Sequence, residues 1–334
     1  MVLLGACSAW SLITAGAHEG RPEGVLLAVL AVAAGCAAGR ICGALLPVAA
    51  PGAAAVAGLA LVATTPGLAA SPQISAPLGH TGATSAVLTL SAGAACCAAW
   101  AAGAPAVRLA LWLLAAGTAV TAAAVGSTPG VLGCAAVLLS SLAAGRMRHR
   151  GLGVAGLAVA AAGVTGTVWA IAAGALPTGP AAALEGPLTR HRVLLWRDAL
   201  GLAGDDALLG VGPGRFGDVS QAAAQALPPD GKPHSASLQQ AAEQGVVGMA
   251  LLAAVFGWVL FALWRSRRST AVVLTAGATL TALAVIASVS NALSFTAVSV
   301  GAGLVAGVAT ARPLAEGTAR TPPAVPARGD RLVR

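Results

Sequence analysis

Over most of its length the sequence is a succession of alanine, leucine, valine and glycine stretches, each near the length needed to cross a bilayer. A chain of that kind cannot fold as an ordinary water-soluble domain. A membrane-crossing helix needs about 20 apolar residues. Candidate spans lie near 2–17, 24–46, 50–70, 84–103, 106–125, 129–145, 151–175, 246–264, 270–290 and 294–311. They predict an all-α, polytopic integral membrane helix bundle of about ten spans. The composition agrees, because 57% of residues are hydrophobic and only 9% are charged, against about 25% charged in a soluble domain. Abundant glycine and alanine let such helices approach closely.

The net charge of +8 does not point to nucleic acid, because the basic residues sit in short clusters between apolar spans and in the tail. Arg146-Met-Arg-His-Arg150 and Arg265-Ser-Arg-Arg268 are short basic connections two spans apart. The positive-inside rule makes both cytoplasmic. The segment between them then faces outward, and both termini face inward. Four parts follow: N-terminal membrane helices over 1–175, a large extracytoplasmic loop between spans seven and eight over 176–244, C-terminal membrane helices over 245–311, and a disordered cytoplasmic tail over 312–334. The apolar N-terminus lacks a preceding basic region. It reads as a first membrane helix, with a cleaved signal as the alternative. Cys7, Cys36, Cys42, Cys96, Cys97 and Cys134 all fall inside apolar spans, where they read as small packing residues rather than a disulfide framework or metal site. Arg40, late in the second span, reads as snorkelling to the inner surface, with a buried functional role as the alternative.

The loop carries the chemistry-bearing side chains. Residues 189–203 predict an amphipathic helix whose stripe is Val193, Trp196, Leu200 and Ala203, with Arg190, Arg197 and Asp198 largely elsewhere. Such a helix can lie at the outer interface with Trp196 at headgroup depth. Gly210-Val-Gly-Pro-Gly214 predicts a tight turn whose amides are suited to meeting an anion, although most glycine turns are only turns. Pro233 favours a boundary before His234. From Ser235 the chain is expected to run as one helix into the next span, with His234, Leu238, Ala241, Gly245 and Gly248 on one stripe. An imidazole at the outer mouth suits general-base work, although a lone loop histidine is more often plain surface. Glu243, one turn below, is expected to pair with a loop arginine or to stay among headgroups.

Three ordered stretches within the loop resemble the O-antigen ligase and Wzy-type polymerase family of bacterial envelope proteins. Family loops read Arg-x-x-x-Trp, matched by Arg192 and Trp196. They continue as Pro-Leu-x-Gly-Val-Gly-Pro-Gly-x-Phe, matched from Leu208 to Phe216 with Ala207 where proline is common. They close as His-[Asn/Ser/Gln]-x9-Gly-x-x-Gly, matched by His234-Ser235 through Gly245 and Gly248. For the remaining helices the resemblance rests on hydropathy alone. It implies a multi-pass protein of the bacterial cytoplasmic membrane. The donor would be a glycan on a polyprenyl pyrophosphate and the acceptor a hydroxyl on a glycan, lipid or polymer, with no cofactor and no metal. Arg192 would hold charge on the leaving pyrophosphate and His234 would accept the acceptor's proton. Arg190, Arg215, Trp196, Gly212, Gly214 and Ser235 would contact substrate. One departure stands out: Thr128 occupies the place of an arginine the family often carries at the outer start of an earlier span. Two other readings stay open: a transporter or flippase without chemistry, and an inactive relative that binds lipid-linked glycan.

Overall fold

In the computed structural model, residues 2–64, 79–175, 190–225 and 231–312 are described. Every regular element among them is helical. Seven helices precede the loop: α1 (Val2–His18), α2 (Glu23–Leu45), α3 (Ala49–Thr64), α4 (Gly79–Ala101), α5 (Pro105–Ala124), α6 (Thr128–Ala144) and α7 (Arg150–Ala172). The loop contributes α8 (Arg190–Asp205) and two short turns of helix, α9 (Phe216–Val219) and α10 (Gln221–Ala224). The chain ends in α11 (Ala236–Arg265), α12 (Thr270–Ser288) and α13 (Thr296–Thr310).

Each of the ten apolar stretches thus contains a helix. Six of them, α2, α4, α5, α7, α11 and α12, are long and apolar enough to cross a membrane. The other four, α1, α3, α6 and α13, are apolar but shorter. Proline marks two of the starts: Pro105 opens α5 and Pro129 lies in the first turn of α6. At that position a missing N–H costs nothing. Ser127 caps α6 by accepting from the Gly130 amide at 3.2 Å.

The bundle is built around α4, which is enclosed by α3, α5, α6 and α12. Leucines such as Leu30, Leu113, Leu139 and Leu152 point outward and stay exposed. An apolar exterior around an equally apolar core is the pattern of a helix bundle in lipid. The interior holds hydroxyls rather than charges. Ser85 pairs with Ser127 at 2.6 Å, Ser141 with Thr275 at 2.8 Å, and the Trp100 indole donates to Ser141 at 2.9 Å. Each pairing joins two helices without an unsatisfied polar group. Arg40 and Arg108 are exposed on the outer face of the bundle, so Arg40 is not a buried side chain.

The closest approach in the bundle is between α2 and α13. Gly35, Gly39 and Gly43 recur every fourth residue on α2 and are buried, as are Gly303 and Gly307 on α13. A Cβ on Gly39 would overlap the Leu304 carbonyl oxygen, and one on Gly307 would overlap the Cys36 carbonyl oxygen. The two backbones therefore touch, which only glycine permits.

The ends of the bundle differ in charge. Arg150 donates to the Ser266 carbonyl at 2.7 Å, and Arg268 donates to the carbonyls of Ala311 and Gly43. These bonds gather the starts of α7 and α12 and the ends of α2, α11 and α13 at one pole. That pole carries nine arginines, Arg40, Arg108, Arg146, Arg148, Arg150, Arg265, Arg267, Arg268 and Arg312, and no described Asp or Glu. Every described carboxylate lies toward the opposite pole, where α8–α10 and the α1–α2 turn sit.

Candidate functional site

At the acidic pole the three motif-bearing stretches interlock. The amphipathic helix forms as α8, but its buried face is turned by about one residue from the expected stripe. Arg192, Leu195, Trp196 and Ala199 point inward, while Val193 and Leu200 are half-buried and Leu194 is exposed. Trp196 therefore does not face outward toward headgroups. It is fully buried against protein, in one apolar cluster with Phe216, Leu238, and Val168 and Ala172 of α7. Tertiary packing outweighs the helical period here, because an indole buries more apolar surface inside the cluster than at its edge.

Arg192 and His234 flank that cluster. Each stands four residues ahead of a cluster member, Trp196 and Leu238, and each is only 4% exposed. His234 adopts φ 52°, one of two non-glycine residues in the left-handed region among those described. That conformation costs a side-chain-bearing residue about 1–2 kcal/mol, and such strain concentrates at functional positions. Its sign is testable. His234→Gly is expected to be more stable than His234→Ala by about 1 kcal/mol, since both lose the imidazole but only glycine relieves the backbone. Thermal melts of the two variants in detergent would check this, and equal melting temperatures would contradict the strain.

Ser235 is buried beside His234, with its hydroxyl 3.3 Å from that of Ser237. Ser237 in turn accepts from the Trp169 indole at 3.2 Å, which ties the start of α11 to α7. Arg190 is the first residue of α8, and its side chain lies outside the described part. Arg215 is tied down, its guanidinium donating to the His18 carbonyl. Thr128 is exposed at this same pole, in the first turn of α6.

The helix expected to run unbroken from Ser235 into the membrane is interrupted at Gly245, where φ is 65° and ψ −166°. The break frees carbonyls that a continuous helix would satisfy, and neighbouring chain takes them up. The Val211 amide donates to the Ala242 carbonyl at 2.9 Å and the Gly212 amide to the Glu243 carbonyl at 3.0 Å. The Trp10 indole donates to the Gln244 carbonyl at 2.9 Å. Past the break, the Val246 amide returns to the Ala207 carbonyl at 2.8 Å. A Cβ on Gly245 would overlap the Leu208 carbonyl oxygen, and one on Gly210 would meet the Ala242 carbonyl oxygen at 2.5 Å. The glycines of the second and third motifs are thus halves of one backbone junction. All five residues of the stripe from His234 to Gly248 are buried, but they do not lie on one continuous helix.

The glycine turn meets a carboxyl group of this chain. Glu243, 3% exposed, sets its carboxyl beside the amides of Gly214 and Phe216, with Gln239 donating at 3.3 Å and Lys232 nearby. The amides of Gly212 and Gly214, which the resemblance implies for substrate, are therefore engaged by Glu243. The expected loop arginine is not its partner. Sequence reasoning missed this role. Its only signal was a carboxylate two residues before a glycine, at the edge of an apolar run. Glu243→Ala is expected to cost about 1–3 kcal/mol, because it strands the amide of the buried Phe216, and to open the 212–216 turn to protease. Unchanged melting and cleavage would show that the carboxylate does not hold the turn.

The α1–α2 turn closes over this unit. The Arg21 amide donates to the Pro213 carbonyl at 2.6 Å, and its guanidinium lies 3.2 Å from the Asp218 carboxylate. Asp198 accepts from the Ser220 hydroxyl and from the Ala222 amide at 3.0 Å, which pins α10 to α8. Among the described residues no group of three His, Cys, Asp or Glu side chains is placed to hold a metal.

Compared with protein-family models, with curated proteins and with solved structures, the chain matches none in any of the three.

Proposed function

We propose that the chain is a multi-pass envelope glycosyltransferase of the O-antigen ligase-like kind, with about ten helices in the cytoplasmic membrane and the 176–244 loop on the outer side. It would transfer or polymerise a polyprenyl-pyrophosphate-linked glycan onto an acceptor hydroxyl. The observation that carries this reading is the convergence of the three separated motifs into one buried unit. Arg192 and His234 stand at its margin, and His234 is held in a strained conformation. The nine arginines at the opposite pole support this orientation.

In this reading the acceptor oxygen attacks the anomeric carbon while the bond from that carbon to the pyrophosphate oxygen breaks. His234 takes the hydroxyl proton. Arg192, with its fixed fork of donors, takes up the charge developing on the leaving pyrophosphate. Both side chains are buried, so a donor reaches them only when the outer segments part. The described interior of the bundle supports chemistry at the surface rather than transport, since it presents paired hydroxyls and no charged side chain.

The direct test uses the purified full chain with lipid-linked glycans extracted from its host. Release of polyprenyl pyrophosphate, together with extension or transfer of the glycan, is expected for the native protein, and loss of both for Arg192→Ala. Binding of the lipid-linked glycan without any release would overturn the enzyme reading in favour of an inactive relative.

A further inference from the structure

The basic pole carries a second surface that the transfer reading does not use. The turn between α6 and α7 forms a shallow, largely open concavity lined by Arg148, His149, Arg150, Gly151 and Leu152. Trp264 of α11 lies beside it, since a Cβ on Gly151 would come within 3.4 Å of the Trp264 indole nitrogen. Trp264 and Phe261 are both exposed, with ring centroids 5.8 Å apart, and Leu152 projects outward beside them. Arg150 is committed to the Ser266 carbonyl, which locks the start of α7 to the end of α11. Arg148 and His149 remain exposed, and no described carboxylate lies at this pole to balance them.

We propose that this concavity binds an anionic phospholipid headgroup from the adjoining leaflet. Charge complementarity selects the class. An exposed guanidinium at the bilayer edge attracts a lipid phosphate, and basic pockets between membrane helices suit such headgroups. The rim selects a lipid over a free ion. An indole belongs at headgroup depth, and Leu152 and Phe261 offer an apolar track along which acyl chains descend. The inference rests on the membrane reading of the bundle and not on the transfer chemistry, so either can fail alone.

The test is native mass spectrometry and thermal melting of the full chain in detergent, with cardiolipin, phosphatidylglycerol or phosphatidylcholine added. Cardiolipin and phosphatidylglycerol are expected to remain bound and raise the melting temperature, and phosphatidylcholine to do neither. Arg148→Gln is expected to weaken anionic lipid binding about fivefold, while Arg148→Lys retains it. Trp264→Leu is expected to weaken it too, and Arg197→Gln at the opposite pole to leave it unchanged. Melting of each variant without lipid separates lost binding from lost folding. Equal binding of phosphatidylcholine would overturn the proposal. So would native binding by a folded Arg148→Gln variant, or equal protection by inorganic phosphate.

Discussion

Gly307→Leu is expected to unfold or badly loosen the bundle. At this position the α13 backbone rests on α2, and a Cβ there would overlap the Cys36 carbonyl oxygen and close on the Arg40 amide nitrogen. Those atoms are backbone and cannot rotate away. Gly303 and Gly39 face the same contact, so sliding the helices along their axes moves the side chain into another backbone rather than into space. Overpacking usually costs about 1–3 kcal/mol. With no flexible neighbour to yield, the cost here is expected at about 3 kcal/mol or more. The measurement is the melting temperature and monodispersity of the purified variant in detergent. Gly117→Leu is the control, because its Cβ position is open on all sides within 4 Å. Equal melting of the two variants would show that α2 and α13 are not in backbone contact.

Gly245→Ala is expected to be the most damaging small change near the candidate site. Two costs add. A side chain at φ 65° costs about 1–2 kcal/mol, and overlap with the Leu208 carbonyl adds about 1–3 kcal/mol. The second cost reaches further than its size suggests. Leu208 can retreat only by withdrawing the 207–212 segment, which breaks the bonds from Val211 and Gly212 to the Ala242 and Glu243 carbonyls. The turn then loses its hold on α11, and with it the placement of Phe216 against Trp196. Gly245→Ala should therefore lower the melting temperature and abolish glycan transfer together. Gly248→Ala, three residues on, is expected to be milder, since its Cβ would overlap the Gln244 Cβ but the position carries no positive-φ cost and no contact with the 207–212 segment. Gly245→Ala melting and transferring like the native chain would mean that α11 runs continuous through this point.

The helices were legible in the sequence because hydropathy reports burial in lipid directly. Eight of the ten expected spans carry a helix to within about five residues of its expected bounds; α11 starts ten residues earlier than expected, ahead of the break at Gly245, and part of the third span, beyond Thr64, lies outside the described residues. The polarity of the bundle was legible for a related reason, since arginine clusters mark one pole. The register of α8 was not. A stripe through Val193, Trp196 and Leu200 and one through Leu195, Trp196 and Ala199 are almost equally apolar. What decides between them is the cluster formed by Phe216 and Leu238, residues distant in sequence. The break at Gly245 was hidden because a glycine every third or fourth position also suits close helix packing, as Gly35 and Gly39 show. The two roles differ only in what the surrounding backbone does. Glu243 was misplaced for the same reason. Its partners are backbone amides of the 214–216 turn rather than an arginine, and backbone donors leave no mark in a sequence.

The central claim is that Arg192 and His234 belong to a site that transfers lipid-linked glycan. The most direct measurement is a deletion of the gene in its host, complemented with the native chain or with His234→Ala, followed by profiling of polyprenyl-linked intermediates and surface glycans. Intermediates are expected to accumulate on deletion, and the native chain to clear them. The His234→Ala protein, present in the membrane at native level, does not. Equal clearance by both chains would contradict the account and leave the buried histidine a structural residue.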